Sequence, residues 1–134
     1  MSSNYKKNTL HKLNTNIANF HPAILSNHRG LFPIFYAILN RNKHIGISFH
    51  KVREKIDYGE LISELKIPIN KKYGFFYMYK KLYFNNESFK FIKNSILNYK
   101  SIKIKKLNKK KLSKYYSYPS LMQIVKFKFI RIFN

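Results

Sequence analysis

The period with which apolar residues recur changes along the chain, and each change marks a different element. Ile17-Ala18-Asn19-Phe20 is a short apolar run ahead of Pro22, which predicts a buried strand ending in a loop. Asn19 and His21 then lie at its C-terminal end. Phe32, Phe35, Ile38 and Leu39 recur at helical spacing around Pro33, a residue suited to a first helical turn, and predict a helix up to Asn40. Ile45, Ile47 and Phe49 alternate with Gly46, Ser48 and His50, the period of a half-buried strand. Asp57-Tyr58-Gly59 reads as a turn, and Leu61 to Ile69 as another extended segment with Pro68 near its end. From Tyr73 to about Leu97, Phe75, Tyr79, Leu82, Phe89, Ile92 and Ile96 fall at intervals of three, four and seven, the stripe of a long helix. Asn85-Asn86 is the place where it would divide in two. The last segment, Tyr115 to Asn134, fits either period: Val125, Phe127 and Phe129 alternate, while Met122, Val125, Phe129 and Ile132 share a helical face.

Composition narrows the class. The chain has 134 residues, enough for one core, and its 45% hydrophobic content with 12 Phe and 11 Tyr can fill it. No stretch approaches the roughly 18 apolar residues of a membrane span, and the polar start has no signal-peptide centre, so a cytoplasmic protein without a membrane partner is expected. The absence of cysteine excludes disulfides, thiolate metal sites and a Cys nucleophile. The net charge of +22 would ordinarily point to a polyanion. Yet Lys, Asn, Ile, Phe and Tyr, the residues in excess, all have AT-rich codons, so genomic base composition is a sufficient source for much of it. Lys also far outnumbers Arg, the residue of bidentate phosphate and base readout. Residues 1–16 read as an irregular lead-in, 17–99 as the catalytic subdomain, and 100–134 as a Lys-rich connector with a C-terminal segment.

Two blocks carry a resemblance. Asn19-Phe20-His21-Pro22-Ala23-Ile24-Leu25-Ser26-Asn27-His28-Arg29-Gly30 is similar to the Asn-x-His-Pro-Ser-Leu-Leu-Pro-x-x-Arg-Gly signature of the formyltetrahydrofolate-dependent formyltransferases. Gly46-Ile47-Ser48-Phe49-His50-Lys51-Val52, followed by Ile56-Asp57-Tyr58-Gly59-Glu60-Leu61-Ile62, resembles that family's Gly-Val-Thr-x-His-x-Val strand and Ile-Asp-x-Gly-x-Ile-Ile loop. Tyr115-Tyr116-Ser117-Tyr118-Pro119 is similar to a tail found in part of the family. Ala23 and Ser26 depart from the signature, which predicts a loosened loop after His21.

The resemblance implies an α/β protein with a partial Rossmann-like formyltransferase fold, mostly parallel strands with packed helices, and the family's N-terminal half missing. It implies 10-formyltetrahydrofolate as formyl donor and a small-molecule amine, an amino sugar in first place, as acceptor. Formyl transfer to an amine needs a donor for the developing oxyanion and a group that manages protons. By resemblance Asn19 hydrogen-bonds the formyl oxygen, His21 stabilises the oxyanion or relays the amine proton, and Asp57 orients His21. Asp57 is the single aspartate of the chain. Arg29 and Gly30 are candidates for substrate binding, and Ile56, Asp57 and Gly59 for the cofactor. His28, His44 and His50 have no acidic partner at ligand spacing, so no metal site is expected, and His50 reads as structural. An N-terminal half encoded separately, or a homodimer, would complete the site. The alternatives are a basic non-catalytic protein binding RNA or other anions non-specifically through Lys100 to Lys114 and the Tyr115-Tyr116 pair, and a degenerate inactive fragment.

Overall fold

The computed structural model describes residues 17–70, 74–101 and 114–132. The lead-in 1–16 and most of the Lys-rich tract lie outside them. Among the described residues, three strands and four helices follow the order expected, with two two-residue strands added. β1 (Ala18–His21), β3 (His44–Lys51) and β4 (Leu61–Pro68) form one sheet in the order β1-β3-β4. β2 (Arg29–Gly30) pairs separately with β5 (Tyr115–Tyr116). The helices are α1 (Pro33–Leu39), α2 (Phe75–Tyr83), α3 (Asn86–Leu97) and α4 (Leu121–Ile132).

Strand direction corrects the expectation of a mostly parallel sheet. β1 pairs antiparallel with β3, and β3 antiparallel with β4; only the two-residue pair β2–β5 is parallel. The physical reason lies in the connections. Residues 52–60 join β3 to β4 without a helix, a link that suits antiparallel neighbours, whereas parallel neighbours need a longer crossover. β3 is also more than half-buried: every residue from Ile45 to Phe49, and His50, is buried, because both of its faces are covered. β1 at the sheet's edge is only partly covered, so the short apolar run is not a buried strand along its length.

One face of the sheet makes the core. Ile45, Ile47 and Ile67 pack with Ile34 and Ala37 of α1 and with Met78 and Leu82 of α2, and Phe20 adds its ring in a stack on Phe49 at 4.2 Å. The predicted long helix breaks where Asn85-Asn86 stands. Asn85 leaves the helix at φ −119°, its side chain accepts the Ser88 N–H at 2.8 Å, and α3 starts anew from this cap. Ser63 of β4 and Ser95 of α3 meet at 2.9 Å and fix the second helix on the sheet.

The helical period wins in the C-terminal segment. α4 lies on α1 through Phe127, stacked on Phe35 at 4.5 Å, and Ile130, while the Tyr36 hydroxyl donates to the Ser117 carbonyl at 3.0 Å. Among the described residues no helix is long and apolar enough to cross a membrane.

Candidate active site

Successive residues of a strand point to opposite faces, and directly opposed residues of an antiparallel pair share a face. With Asn19 opposite His50 and His21 opposite Ser48, these four polar residues occupy the face turned away from the core. The loop after His21 folds back over that face. Ala23, Ile24 and Leu25 are buried, and Ser48 ties them down: its hydroxyl donates to the Ala23 carbonyl at 2.6 Å and accepts the Leu25 N–H at 3.1 Å. Further turns close through Ala23 N–H to the His21 carbonyl and His28 N–H to the Ile24 carbonyl. The loosened loop expected from Ala23 and Ser26 is therefore not what forms, because Ser48 supplies the anchorage from the neighbouring strand.

Asp57 approaches from the loop between β3 and β4. It sits at φ 53°, a left-handed conformation that Asp and Asn tolerate better than bulkier residues. Its Oδ2 accepts the Gly30 N–H at 2.9 Å, which leaves Oδ1 facing two imidazoles: His21 Nδ1 at 3.5 Å and His50 Nε2 at 3.8 Å. The three side chains are 9% exposed or less. Burial lowers the His21 pKa below 6.5; Asp57 and the His28 backbone oppose the fall, and His50 adds to it. His21 is thus neutral at pH 7. With its Nδ1 hydrogen directed to Asp57, its Nε2 carries a lone pair, and this nitrogen is buried without a hydrogen-bond partner among the described residues. A buried polar atom left so costs about 1–3 kcal/mol, a cost that a bound reactant can remove. Asn19, two residues before His21 on the same face, is exposed and lies about 7 Å along the strand.

A base beside a carboxylate, with an amide side chain on the same strand face, is the equipment of acyl or formyl transfer. The family model for formyl transferase matches residues 6–92. The chain belongs to the formyl transferase family. Over 64 residues it is 36% identical to methionyl-tRNA formyltransferase of Pediococcus pentosaceus, a match that covers 48% of this chain and 20% of that protein. It is 34% identical over 64 residues to the bifunctional polymyxin resistance protein ArnA of Wigglesworthia glossinidia brevipalpis, covering 48% of this chain and 10% of that one. Among solved structures, the N-formyltransferase of Helicobacter canadensis, complexed with folinic acid and dTDP-3-aminofucose, superposes with a TM-score of 0.66 at 20% identity, covering 89% of this chain and 48% of that one. The formyltransferase PseJ of Anoxybacillus kamchatkensis, complexed with tetrahydrofolate and a formamido sugar nucleotide, gives 0.68 at 16% identity over 90% and 61%. The chain thus matches a fifth or less of these two curated relatives and about half to three-fifths of these structures.

Within this formyl transferase family member the other expected site residues have definite places. The Arg29 guanidinium lies over the Tyr58 ring at 5.2 Å, with Lys55 Nζ 5.4 Å from the same ring. Gly30 has φ +90°, and a Cβ there would meet the Tyr116 carbonyl oxygen at 2.2 Å. Gly59 is pressed on the Lys51 backbone, where a Cβ would come to 1.5 Å of the carbonyl oxygen. Both glycines thus have a geometric reason to be glycine: they let the Asp57 loop and β2 close on the site. Ile56, by contrast, is 59% exposed and open to a ligand. Arg53 and Glu60 bracket the loop with a bidentate pair, Nε to Oε2 at 2.9 Å and Nη2 to Oε1 at 2.5 Å.

His50 is the site residue that the sequence pattern missed. Its place opposite Asn19 follows from antiparallel register, which the expectation of parallel strands concealed. His28 was also passed over. It is buried beside Tyr116 and Asn40, and burial lowers its pKa to about 4.

Proposed function

We propose that this chain carries the catalytic side chains of a cytoplasmic formyltransferase, which moves a formyl group from 10-formyltetrahydrofolate to a substrate amine. The observation that carries this reading is the His21–Asp57 pair, with one carboxylate oxygen held by the Gly30 N–H and the outer imidazole nitrogen buried and unpartnered. The folate donor supplies a formyl carbon open to attack by nitrogen.

Each residue then has one task. The Asn19 side-chain N–H donates to the oxygen on which negative charge develops, a contribution of about 10²–10³ in rate for such a donor. His21 Nε2 takes the proton that the amine loses as its bond to carbon forms, and Asp57 Oδ1 steadies the resulting imidazolium. As the bond from the formyl carbon to the folate nitrogen breaks, His21 gives the proton to that nitrogen, which leaves as tetrahydrofolate. Because His21 is neutral at pH 7, it is ready to accept. Ile56, Asp57 and Gly59 form the loop that faces the folate, and Arg29, next to Gly30, holds an anionic group of the acceptor.

An amino sugar is the first acceptor to test; the Helicobacter canadensis and PseJ structures, similar to this chain in fold, hold sugar nucleotides. The outer edge of β1 has no strand partner among the described residues, and an edge of that kind accepts a strand from another segment. The rest of the family fold, of which this chain covers about half in the Helicobacter canadensis structure, is the occupant that would complete the folate pocket. The test supplies this chain together with the remaining part of a family member, adds 10-formyltetrahydrofolate and a panel of amines, and follows free tetrahydrofolate. Release that depends on an amine is expected. Absence of release for every amine, amino sugars and aminoacyl-tRNA included, would overturn the reading.

A further inference from the structure

We infer that His50 is a positioning residue of the formyl-transfer site: its Nε2 faces the same carboxylate oxygen, Asp57 Oδ1, that His21 Nδ1 faces, so that two imidazoles share one acceptor. The inference rests on the proposed formyl transfer for its purpose, though not for its geometry.

The argument starts from a hydrogen. His50 Nδ1 lies 2.8 Å from the Lys51 carbonyl oxygen, and a carbonyl only accepts, so Nδ1 bears the hydrogen. The neutral ring therefore turns a lone pair toward Asp57 from Nε2, which is buried, has no hydrogen-bond partner among the described residues and stands 3.8 Å from Oδ1. His50 is 2% exposed, in a strand buried from Ile45 onward, and an imidazole placed so deep with one nitrogen idle costs free energy unless that nitrogen has a use.

An acceptor that faces an acceptor becomes a bond when a proton arrives. Asp57 cannot turn away, because the Gly30 N–H fixes Oδ2. Oδ1 can therefore serve His21 or His50 and is 3.5 Å from one and 3.8 Å from the other. Among the described residues, the titratable groups facing His50 are His21 from β1, whose ring meets it edge-on at 6.3 Å between centroids, and Asp57 from the 52–60 loop. Asn19 across the β1–β3 pair and Leu61 across the β3–β4 pair carry no charge.

Two states follow. With His50 neutral, Oδ1 belongs to His21, whose Nδ1–H it orients, and Nε2 of His21 is the working base. When His50 Nε2 takes a proton from solvent, an N–H bond forms there, the imidazolium draws Oδ1, and His21 loses its orienting partner. Charge on His50 opposes charge on His21, while the Asp57 carboxylate favours it.

The test is imidazole ¹⁵N–¹H NMR of the complete chain across pH 4–9, for wild type, His50→Gln and Asp57→Asn, with the amide spectrum as a check of fold. The expected result is a His50 ring with hydrogen on Nδ1 and a His21 titration that departs from a single step. His50→Gln should make that titration single-step and raise its midpoint, while Asp57→Asn should lower it. A wild-type His21 curve that is a single step, or a midpoint unmoved by His50→Gln in a folded variant, overturns the inference. Should His50→Gln not fold, the shape of the wild-type curve and the His50 tautomer still decide. In the formyl-transfer assay the same variant should move the acidic limb of the kcat profile and leave KM for the amine unchanged. NMR coupling present without any formyl transfer would leave the inference standing and defeat the proposed function instead.

Discussion

Replacing Gly30 by Ala strains three features of the site at once, and the size of the effect can be worked from the backbone. Gly30 is at φ +90°, where a residue with a Cβ pays about 1–2 kcal/mol. The added carbon would sit 2.2 Å from the Tyr116 carbonyl oxygen and 2.9 Å from two carbons of the Tyr115 ring, so β2 and β5 must move apart. Their separation weakens the bond from Leu31 N–H to the Tyr116 carbonyl, 2.9 Å long, at about 1 kcal/mol. The sum is about 2–3 kcal/mol, a large part of the roughly 5–15 kcal/mol by which a domain is stable. The Gly30 N–H that fixes Asp57 shifts with it, so the imidazole of His21 should change its surroundings as well. Urea unfolding followed by far-ultraviolet circular dichroism measures the first effect, with an unchanged slope showing that the two unfolded states compare. Imidazole NMR measures the second. A loss of stability under about 0.5 kcal/mol with an unmoved His21 resonance would refute the reasoning.

The core and the termini of helices give further measurable expectations. Leu82→Ala, at a fully buried position between α2 and the sheet, should cost about 2–5 kcal/mol in urea unfolding, whereas a surface Leu of α3 such as Leu97, 70% exposed, should cost little. Asn85→Ala removes the cap of α3 and should cost about 1 kcal/mol by the same measurement, with Asn85→Ser restoring most of it. Stability should fall on acidification: His28 has a folded pKa of about 4 against 6.5 when unfolded, so between those values the unfolded chain binds the extra proton. The contribution is complete above pH 6.5, is lost progressively toward pH 4, and amounts to about 2–3 kcal/mol for His28, with His21 acting in the same direction. Unfolding midpoints across that range check it, and His28→Gln should flatten the slope.

Much of this was legible in the residues because the period of the pattern is set by local geometry. The alternation over residues 45–50 gave a strand, the Pro33 start gave α1, and Asn85-Asn86 already marked where the long stripe divides. Asn19, His21 and Asp57 stood out as a constellation, and the folded chain places all three at one end of the β1–β3 face, with His21 and Asp57 in contact. What the pattern could not supply was pairing direction, since an alternating strand reads the same beside a parallel or an antiparallel neighbour. With direction misjudged, His50 could not be set opposite Asn19. The anchorage of the 22–28 loop was hidden for a similar reason: Ser48 does its work across the sheet, 23 and 25 positions from Leu25 and Ala23, and no local signal announces so distant a partner. The α4 segment was ambiguous because the apolar residues that decide it, Phe127 and Ile130, take their meaning from contact with α1.

The most direct measurement is turnover by His21→Ala in an assembly that transfers formyl groups, with folate binding recorded by calorimetry on the same variant. The account predicts a fall in kcat of about a hundredfold or more, because the variant lacks the nitrogen that takes the amine proton, and folate affinity changed far less. A His21→Ala assembly that turns over at close to the wild-type rate would contradict it and remove His21 from the mechanism.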